Sequence, residues 1–231
     1  MATHATGDGG IPSRDAAKRG LKRVMTGGGA YGTRNYTVKD LRDLKGKRVS
    51  TGSPGSATEV MGFRVIEAAG LDKDKDMKRE RLGVAESVNA IKDRKIDAFF
   101  WVGGIPTAAV TDLAATPGIK MKLVDHADVV DKMNEKYGKL YTASTIKANS
   151  YPGYDKENKI AEVWNLIVTG GKMSDDDAYA IVKTLVEKKA DIVAVHKEAE
   201  SFSLDNQVQS RSSVPFHPGA LKYFKEKGIG G

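Results

Sequence analysis

The run Thr51-Gly52-Ser53-Pro54-Gly55-Ser56-Ala57-Thr58-Glu59 holds residue types and spacings suited to gripping a small anion. Gly52 and Gly55 admit backbone conformations closed to other residues, and Pro54 fixes its own φ between them. Ser56 or Thr58 can cap a helix in which Met61, Val65, Ala68 and Ala69 line one face. The first turn of such a helix leaves backbone N–H groups unpaired at the positive end of its dipole, which suits a carboxylate or a phosphate. The same residues also make an ordinary β–α connection with a well-capped helix. This segment alone leaves both readings open.

The elements that must position this turn follow from hydrophobic periodicity. Lys47–Thr51 reads as a short strand and Thr58–Ala69 as the helix, ended by Gly70. Asp72 to Arg79 is so charged that a surface loop is expected. Arg81-Leu82-Gly83 reads as a strand, and Glu86–Lys92 as a helix with Val88 and Ile91 inward. Ile96–Val102 is a near-continuous apolar strand ending at Gly103-Gly104, which implies a sheet covered on both faces. Pro106–Ala115 reads as a helix and Lys120–Val124 as a strand, so the alternation predicts a parallel α/β unit. Beyond it, Tyr141–Ser150 is expected to be extended, Ile160–Thr169 a strand, and Ser174 the cap of a helix. Asp175, Asp176 and Asp177 occupy that helix's first turn. Lys189–Ala199 continues as a second helix or a broken extension, and His196 within it reads as a packed or surface residue.

Composition narrows the chemistry. The chain has 231 residues, 40% hydrophobic and 29% charged, as in ordinary globular proteins. It has no cysteine, so thiol catalysis, disulfides and thiolate metal sites are excluded. His4, His126, His196 and His217 are too scattered for a ligand spacing, and no metal or cofactor is expected. No apolar run approaches the roughly 20 residues that span a bilayer. The N-terminus has no apolar stretch of signal-peptide type, so the chain as given reads as cytoplasmic.

The net charge of +7 lies wholly in residues 1–48, which hold 11 Lys or Arg against 4 Asp or Glu; the rest is balanced. Residues 1–39 read as a basic, Gly-rich, flexible leader, because small polar residues bury too little surface to offset chain entropy. Nucleic acid is not an expected partner: the leader has only Tyr31 and Tyr36 as aromatics and no helix with one basic face. Gly27, Gly29 and Gly32 satisfy G-x-G-x-x-G, but Thr33 and Arg34 stand where a P-loop needs lysine. No apolar strand is evident before the glycines and no amphipathic helix after them, so a nucleotide site is rejected.

Six further signals resemble one family. Asp43-Leu44-Lys45-Gly46-Lys47-Arg48-Val49-Ser50, then Pro54-Gly55-Ser56-x-Thr58, are similar to the solute-binding proteins of TRAP transporters, TAXI subfamily. The order continues with Lys95 to Gly104 and Pro106-Thr107, with Tyr151-Pro152-Gly153, with Ser174 to Tyr179, and with Pro215-Phe216-His217-Pro218-Gly219-Ala220. The resemblance covers about residues 40–229. It implies a type II periplasmic-binding-protein-like α/β fold, with a complete ligand-binding lobe over 40–140. Residues 141–231 would then supply the hinge strands and the remnant of an incomplete second lobe.

It further implies capture of a small carboxylate such as glutamate, glutamine or a related dicarboxylate, in the periplasm, for delivery to the permease subunits of a TRAP transporter. Ser53, Gly55, Ser56, Ala57 and Thr58 would meet the ligand carboxylate. Trp101, Val102, Gly103 and Gly104 would supply backbone amides and an aromatic wall. Glu86 and Ser87 would contact an amino group or the domain interface. For Trp101 simple core packing stays open, as does helix capping for Glu86. Members carry a signal peptide and a first-lobe segment ahead of the Asp-Leu-Lys-Gly-Lys stretch, where this chain has only its leader. Apolar Val163–Val168 is therefore expected to be exposed to solvent or to self-association. An enzyme on the same scaffold, or a basic interaction module in the leader, are the alternatives.

Overall fold

The computed structural model describes residues 19–20, 24–32, 38–195, 199–200, 202–207 and 214–229. The chain forms two compact units, one centred on Thr26–Val163 and the other on Trp164–Gly231. Most of the expected flexible leader, residues 1–18, 21–23 and 33–37, lies outside the described residues, as does His196.

The first unit holds β2 (Val24–Gly32, its first residues outside the unit), β3 (Arg48–Ser50), α1 (Ala57–Ala68), β4 (Lys78–Glu80) and α2 (Val84–Lys92). These are followed by β5 (Ala98–Gly103), α3 (Ala108–Ala115), β6 (Lys122–Val124), α4 (Val130–Tyr137), β7 (Tyr141–Ile146) and β8 (Asn158–Asn165). The strands form one sheet in the order β4-β3-β5-β2-β8-β7, with β6 also pairing with β2. β3 is parallel to both β4 and β5, whereas β2 runs antiparallel to β5 and β6, and β7 to β8. The fold is thus mixed α/β, with a parallel β4-β3-β5 core rather than a wholly parallel unit.

Two expectations change here. Residues 24–32, assigned to the leader, are a strand inside the sheet. Gly27 pairs with Gly103 and Gly32 with Ala98, and the ladder needs only backbone groups, which a glycine run supplies without any apolar signature. The same register places a strand, not a phosphate-binding loop, at the G-x-G-x-x-G glycines. In the expected surface loop, Lys78-Arg79-Glu80 is β4, at the end of the strand order. Charged side chains on such an edge deter pairing with another chain, so composition hid the strand.

β5 organises the core. Its side chains alternate, so Ala98 and Phe100 enter one buried cluster with Met61, Val65 and Met133, while Phe99 enters the other with Val88, Ile91 and Leu113. α1 and α4 cover the first face, α2 and α3 the second. β5 is joined to β3 at its start: Asp97 accepts from the Arg48 amide at 2.9 Å, from Arg48 Nε at 3.0 Å and from Nη2 at 2.7 Å. The Arg48 guanidinium holds the Asp97 carboxyl below the usual range.

The second unit holds β1 (Arg19–Gly20), antiparallel to β9 (Val168–Thr169), with α5 (Asp175–Glu187), α6 (Lys189–Val195) and α7 (Pro218–Glu226). α5 and α7 pack around Ala178, Val182, Ala220, Tyr223 and Phe224. At Gly219 a Cβ would lie 2.0 Å from the Asp175 carbonyl oxygen, so this crossing admits glycine alone. Of the apolar run Val163–Val168 expected to be exposed, Leu166, Ile167 and Val168 are, whereas Val163 is half-buried against the first unit's core.

Replacing Asp97 by Asn should cost about 1–2 kcal/mol in urea unfolding, because a charge-assisted fork is lost at a partly exposed site. A depressed folded pKa stabilises above the unfolded value of about 3.9 and is lost as pH falls through the folded one, so wild type and variant should converge in acid. Gly219→Ala should destabilise the second unit by about 2 kcal/mol or more, read as a lower melting transition.

Candidate functional site

β3, β4 and β5 run parallel, so their C-terminal ends, Ser50, Glu80 and Gly103, lie along one edge of the sheet. α1 starts just after β3 and α2 just after β4, so both helix N-termini open on that edge. In parallel α/β sheets this is where ligands bind.

The glycine turn forms as its residues dictate. Gly52 has φ +99° and Gly55 φ +72°. A Cβ on Gly52 would also lie 2.7 Å from Thr58 Cγ2. The Ser56 N–H bonds the Ser53 carbonyl at 3.1 Å, and Ser56 Oγ caps α1 by accepting from the Glu59 amide at 3.1 Å. Ser56, not Thr58, is therefore the cap. The Ala57 and Thr58 amides, the first two of the helix, have no acceptor among the described residues.

Glu59 was not among the expected site residues, and it changes the assignment of Gly55. The Glu59 side chain is 8% exposed and turns back beneath the turn, where Oε2 accepts from the Gly55 amide at 2.8 Å. Oε1 accepts from Arg81 Nε at 2.8 Å, with Arg79 Nη1 at 3.5 Å. Burial pushes the carboxyl up, but the Gly55 amide and the Arg81 guanidinium outweigh it and hold it below its ordinary value. The Gly55 amide is thus committed to an internal anion rather than open to a ligand. The Ser56-x-x-Glu59 spacing is a capping-box pattern, and it is the sequence signal that could have found this.

Thr58 Oγ1 accepts from the Val102 amide at 3.2 Å, so the helix start is bonded directly to the end of β5. Ser53 is half-buried, with Oγ lying 3.3 Å from where a Cβ of Gly83 would sit; Glu86 Oε2 lies 3.5 Å from the same point. Ser53 and Glu86 therefore converge on the N-cap of α2. The Glu86 carboxylate accepts from the Gly83 amide at 2.8 Å, so helix capping holds, with the side chain exposed. Ser87 corrects the expectation of a ligand contact. It is fully buried, its hydroxyl 2.9 Å from Ser50 Oγ, joining α2 to β3 under the edge. Trp101 is half-buried, its Nε1 donating to Thr107 Oγ1 at 2.8 Å, and the Gly104 carbonyl accepts from that Thr107 hydroxyl at 2.6 Å. Gly103 ends β5 beneath the Trp101 ring.

A cavity of about 670 Å³ lies away from the turn, lined by Val60, Phe63, Arg64 and Glu67 of α1 with Lys73 and Tyr137. Its charges answer one another: Arg64 bonds Tyr141, Glu67 bonds Lys136 and Tyr137, and Lys73 bonds Asp74. The described residues hold no cluster of His, Asp or Glu suited to a metal ion.

Glu59→Gln should destabilise the first unit by about 2–3 kcal/mol, since it leaves Arg81 and Arg79 facing a neutral group. The folded pKa is depressed, so this contribution is present above about pH 4.3 and fades below it. Urea titrations at pH 7 and pH 3 should show the difference shrinking.

Among solved structures, the chain is similar to the periplasmic aliphatic sulphonate binding protein SsuA from Escherichia coli, at 12% identity and a TM-score of 0.41, over 89% of this chain and 59% of that one. The probable amino-acid ABC transporter extracellular-binding protein YtmK from Bacillus subtilis matches at 20% identity and a TM-score of 0.43, over 81% and 65%. A putative sulfonate-binding SsuA from Methylobacillus flagellatus matches at 16% and 0.45, over 93% and 62%. The chain thus spans about three fifths to two thirds of the length of these proteins. The profile of one family matches residues 30–228, nearly the whole sequence, and the chain belongs to that family, the NMT1-like family.

Proposed function

We propose that this chain is an extracytoplasmic solute-binding protein of the type II periplasmic kind. It captures a small carboxylate such as glutamate, glutamine or a related dicarboxylate and passes it to the permease subunits of a TRAP-type transporter. Membership of the NMT1-like family and the TAXI-like motifs support this reading.

One observation carries it. At the start of α1, on the C-terminal edge of the parallel strands, the Ala57 and Thr58 amides have no acceptor among the described residues. Two oriented amides at the positive end of a three-turn helix bind a carboxylate through hydrogen bonds and dipole together. Two carboxylates of the adjoining helix starts, Glu59 and Glu86, are each committed to a backbone amide, and Glu59 also to Arg81. They hold geometry and leave the proposed task as capture and release, with no bond broken.

Ala57→Pro is the decisive variant. Ala57 is the first helical residue, where proline is tolerated, and Ser56 before it is already extended at φ −82° and ψ 157°. The substitution deletes one amide and leaves the helix. In calorimetry with L-glutamate, L-glutamine and 2-oxoglutarate, wild type should bind at least one of them. Ala57→Pro should weaken that binding about tenfold, the worth of one charge-assisted bond, with the melting temperature unchanged. Unaltered affinity would remove the α1 N-terminus as the site.

A further inference from the structure

The sheet of the first unit ends in two unlike strands. β4 carries Lys78, Arg79 and Glu80, whereas β7, at the other end of the strand order, runs from Tyr141 to Ile146 without a charge or a proline. Sheet edges that lack such residues are templates for pairing with another strand.

Which backbone groups of β7 face outward follows from Asn134 on α4. Its side chain accepts from the Tyr141 amide and donates to the Tyr141 carbonyl, each at 3.0 Å, and so stands where a neighbouring strand would. Tyr141 therefore turns its backbone groups away from β8. By the alternation of an antiparallel ladder Ala143 and Thr145 do the same, while Thr142, Ser144 and Ile146 bond to β8. The outward amides and carbonyls of Ala143 and Thr145 have no partner among the described residues, and both residues are exposed. The edge is thus closed at Tyr141 and open at the next two outward residues.

This pattern is complementary to itself. Laid antiparallel across a two-fold axis at Ser144, Ala143 exchanges both its bonds with Thr145 of a second copy, and the axis repeats the exchange. An axis at Ala143 would set Thr145 against Tyr141, which Asn134 already occupies. An axis at Thr145 would set Ala143 against Lys147, beyond the end of the strand. In the Ser144 register Thr142 faces Ile146 and Tyr141 faces Lys147, so no charge on the strand or its flanks meets a like charge.

We propose that β7 is a self-association edge, through which two copies of this chain join their sheets antiparallel about Ser144. The backbone groups to be shared are few, so the contact is small and the dimer weak, forming as concentration rises.

The test uses a chain that has no cysteine of its own. Across the axis the two Ser144 residues form a non-hydrogen-bonded pair, whose Cα atoms lie about 4.5 Å apart, within disulfide reach. Thr142 lies about 14 Å from its own copy in the same register. With diamide as oxidant, Ser144→Cys should cross-link to a dimer about tenfold faster than Thr142→Cys. Exposure alone favours the opposite order, because Thr142 is exposed and Ser144 half-buried. Sedimentation velocity of the wild type should show a dimer that grows with concentration. Thr145→Pro deletes an outward amide while the strand keeps its bonds to β8, and should return the protein to monomer. A wild type that stays monomeric, a dimer unchanged by Thr145→Pro, or Ser144→Cys cross-linking no faster than Thr142→Cys overturns the proposal. Should Thr145→Pro fail to fold, the two cysteine variants decide, since neither removes a backbone bond.

Discussion

The constraint on which the first unit depends is that β5 is buried on both faces. Phe99 and Phe100, adjacent in sequence, belong to different core clusters, and each cluster seats its own pair of helices. Fully burying one aromatic side chain is worth about 1.5–3 kcal/mol, so a one-residue slip of this strand would exchange the two faces and lose both. With β5 fixed, β3 is fixed beside it by parallel pairing and by the Arg48–Asp97 fork. The ends of β3 and of β4, paired beside it, then determine where α1 and α2 begin. The candidate site is a consequence of that edge more than of any single residue on it.

The glycine turn holds one anion of the protein's own. Its amides at residues 55, 57 and 58 all lie at the positive end of α1, and the exposed Gly55 amide is the one that the protein itself pairs. Glu59 supplies a permanent carboxylate for that donor, and Arg81 and Arg79 offset the cost of burying it. The turn is thus tied to β4 and the residues after it through one buried carboxylate.

This accounting also shows what the sequence could and could not disclose. The β3–turn–α1 segment was legible because glycines, a cap and a 3.6-residue apolar period all agree, and β5 because seven near-continuous apolar residues have few other uses. β2 was not, because a strand that contributes only its backbone to a ladder leaves no side-chain pattern. β4 was hidden by the charges that suit an edge. At the strand edge, Ser56 bonds Ser53 and Val102 bonds Thr58. Ser87 was misread because a serine one residue past an exposed Glu86 turns to the opposite side of α2, into the core. The inward turn of Glu59 was signalled by its spacing from Ser56, but its arginine partner lies 22 residues away, and the Thr107 bond to Trp101 runs through a hydroxyl that no spacing encodes.

Among the described helices, the starts differ in a way that bears on which could hold an anion. α5 answers its own dipole with Asp175, Asp176 and Asp177, all in the first turn. α2 has Glu86 curled back on its N-cap amide. α7 begins with Pro218, which has no amide to offer, and His217 Nδ1 takes the Gly219 amide at 3.2 Å. α1 also carries an acid in its first turn, but that acid is folded inward and neutralised by arginine, so its charge does not answer the outward-facing amides. A helix dipole acts over about one turn, and the acid within that turn of α1, Glu59, is bonded to the Gly55 amide and Arg81 rather than to the Ala57 or Thr58 amide.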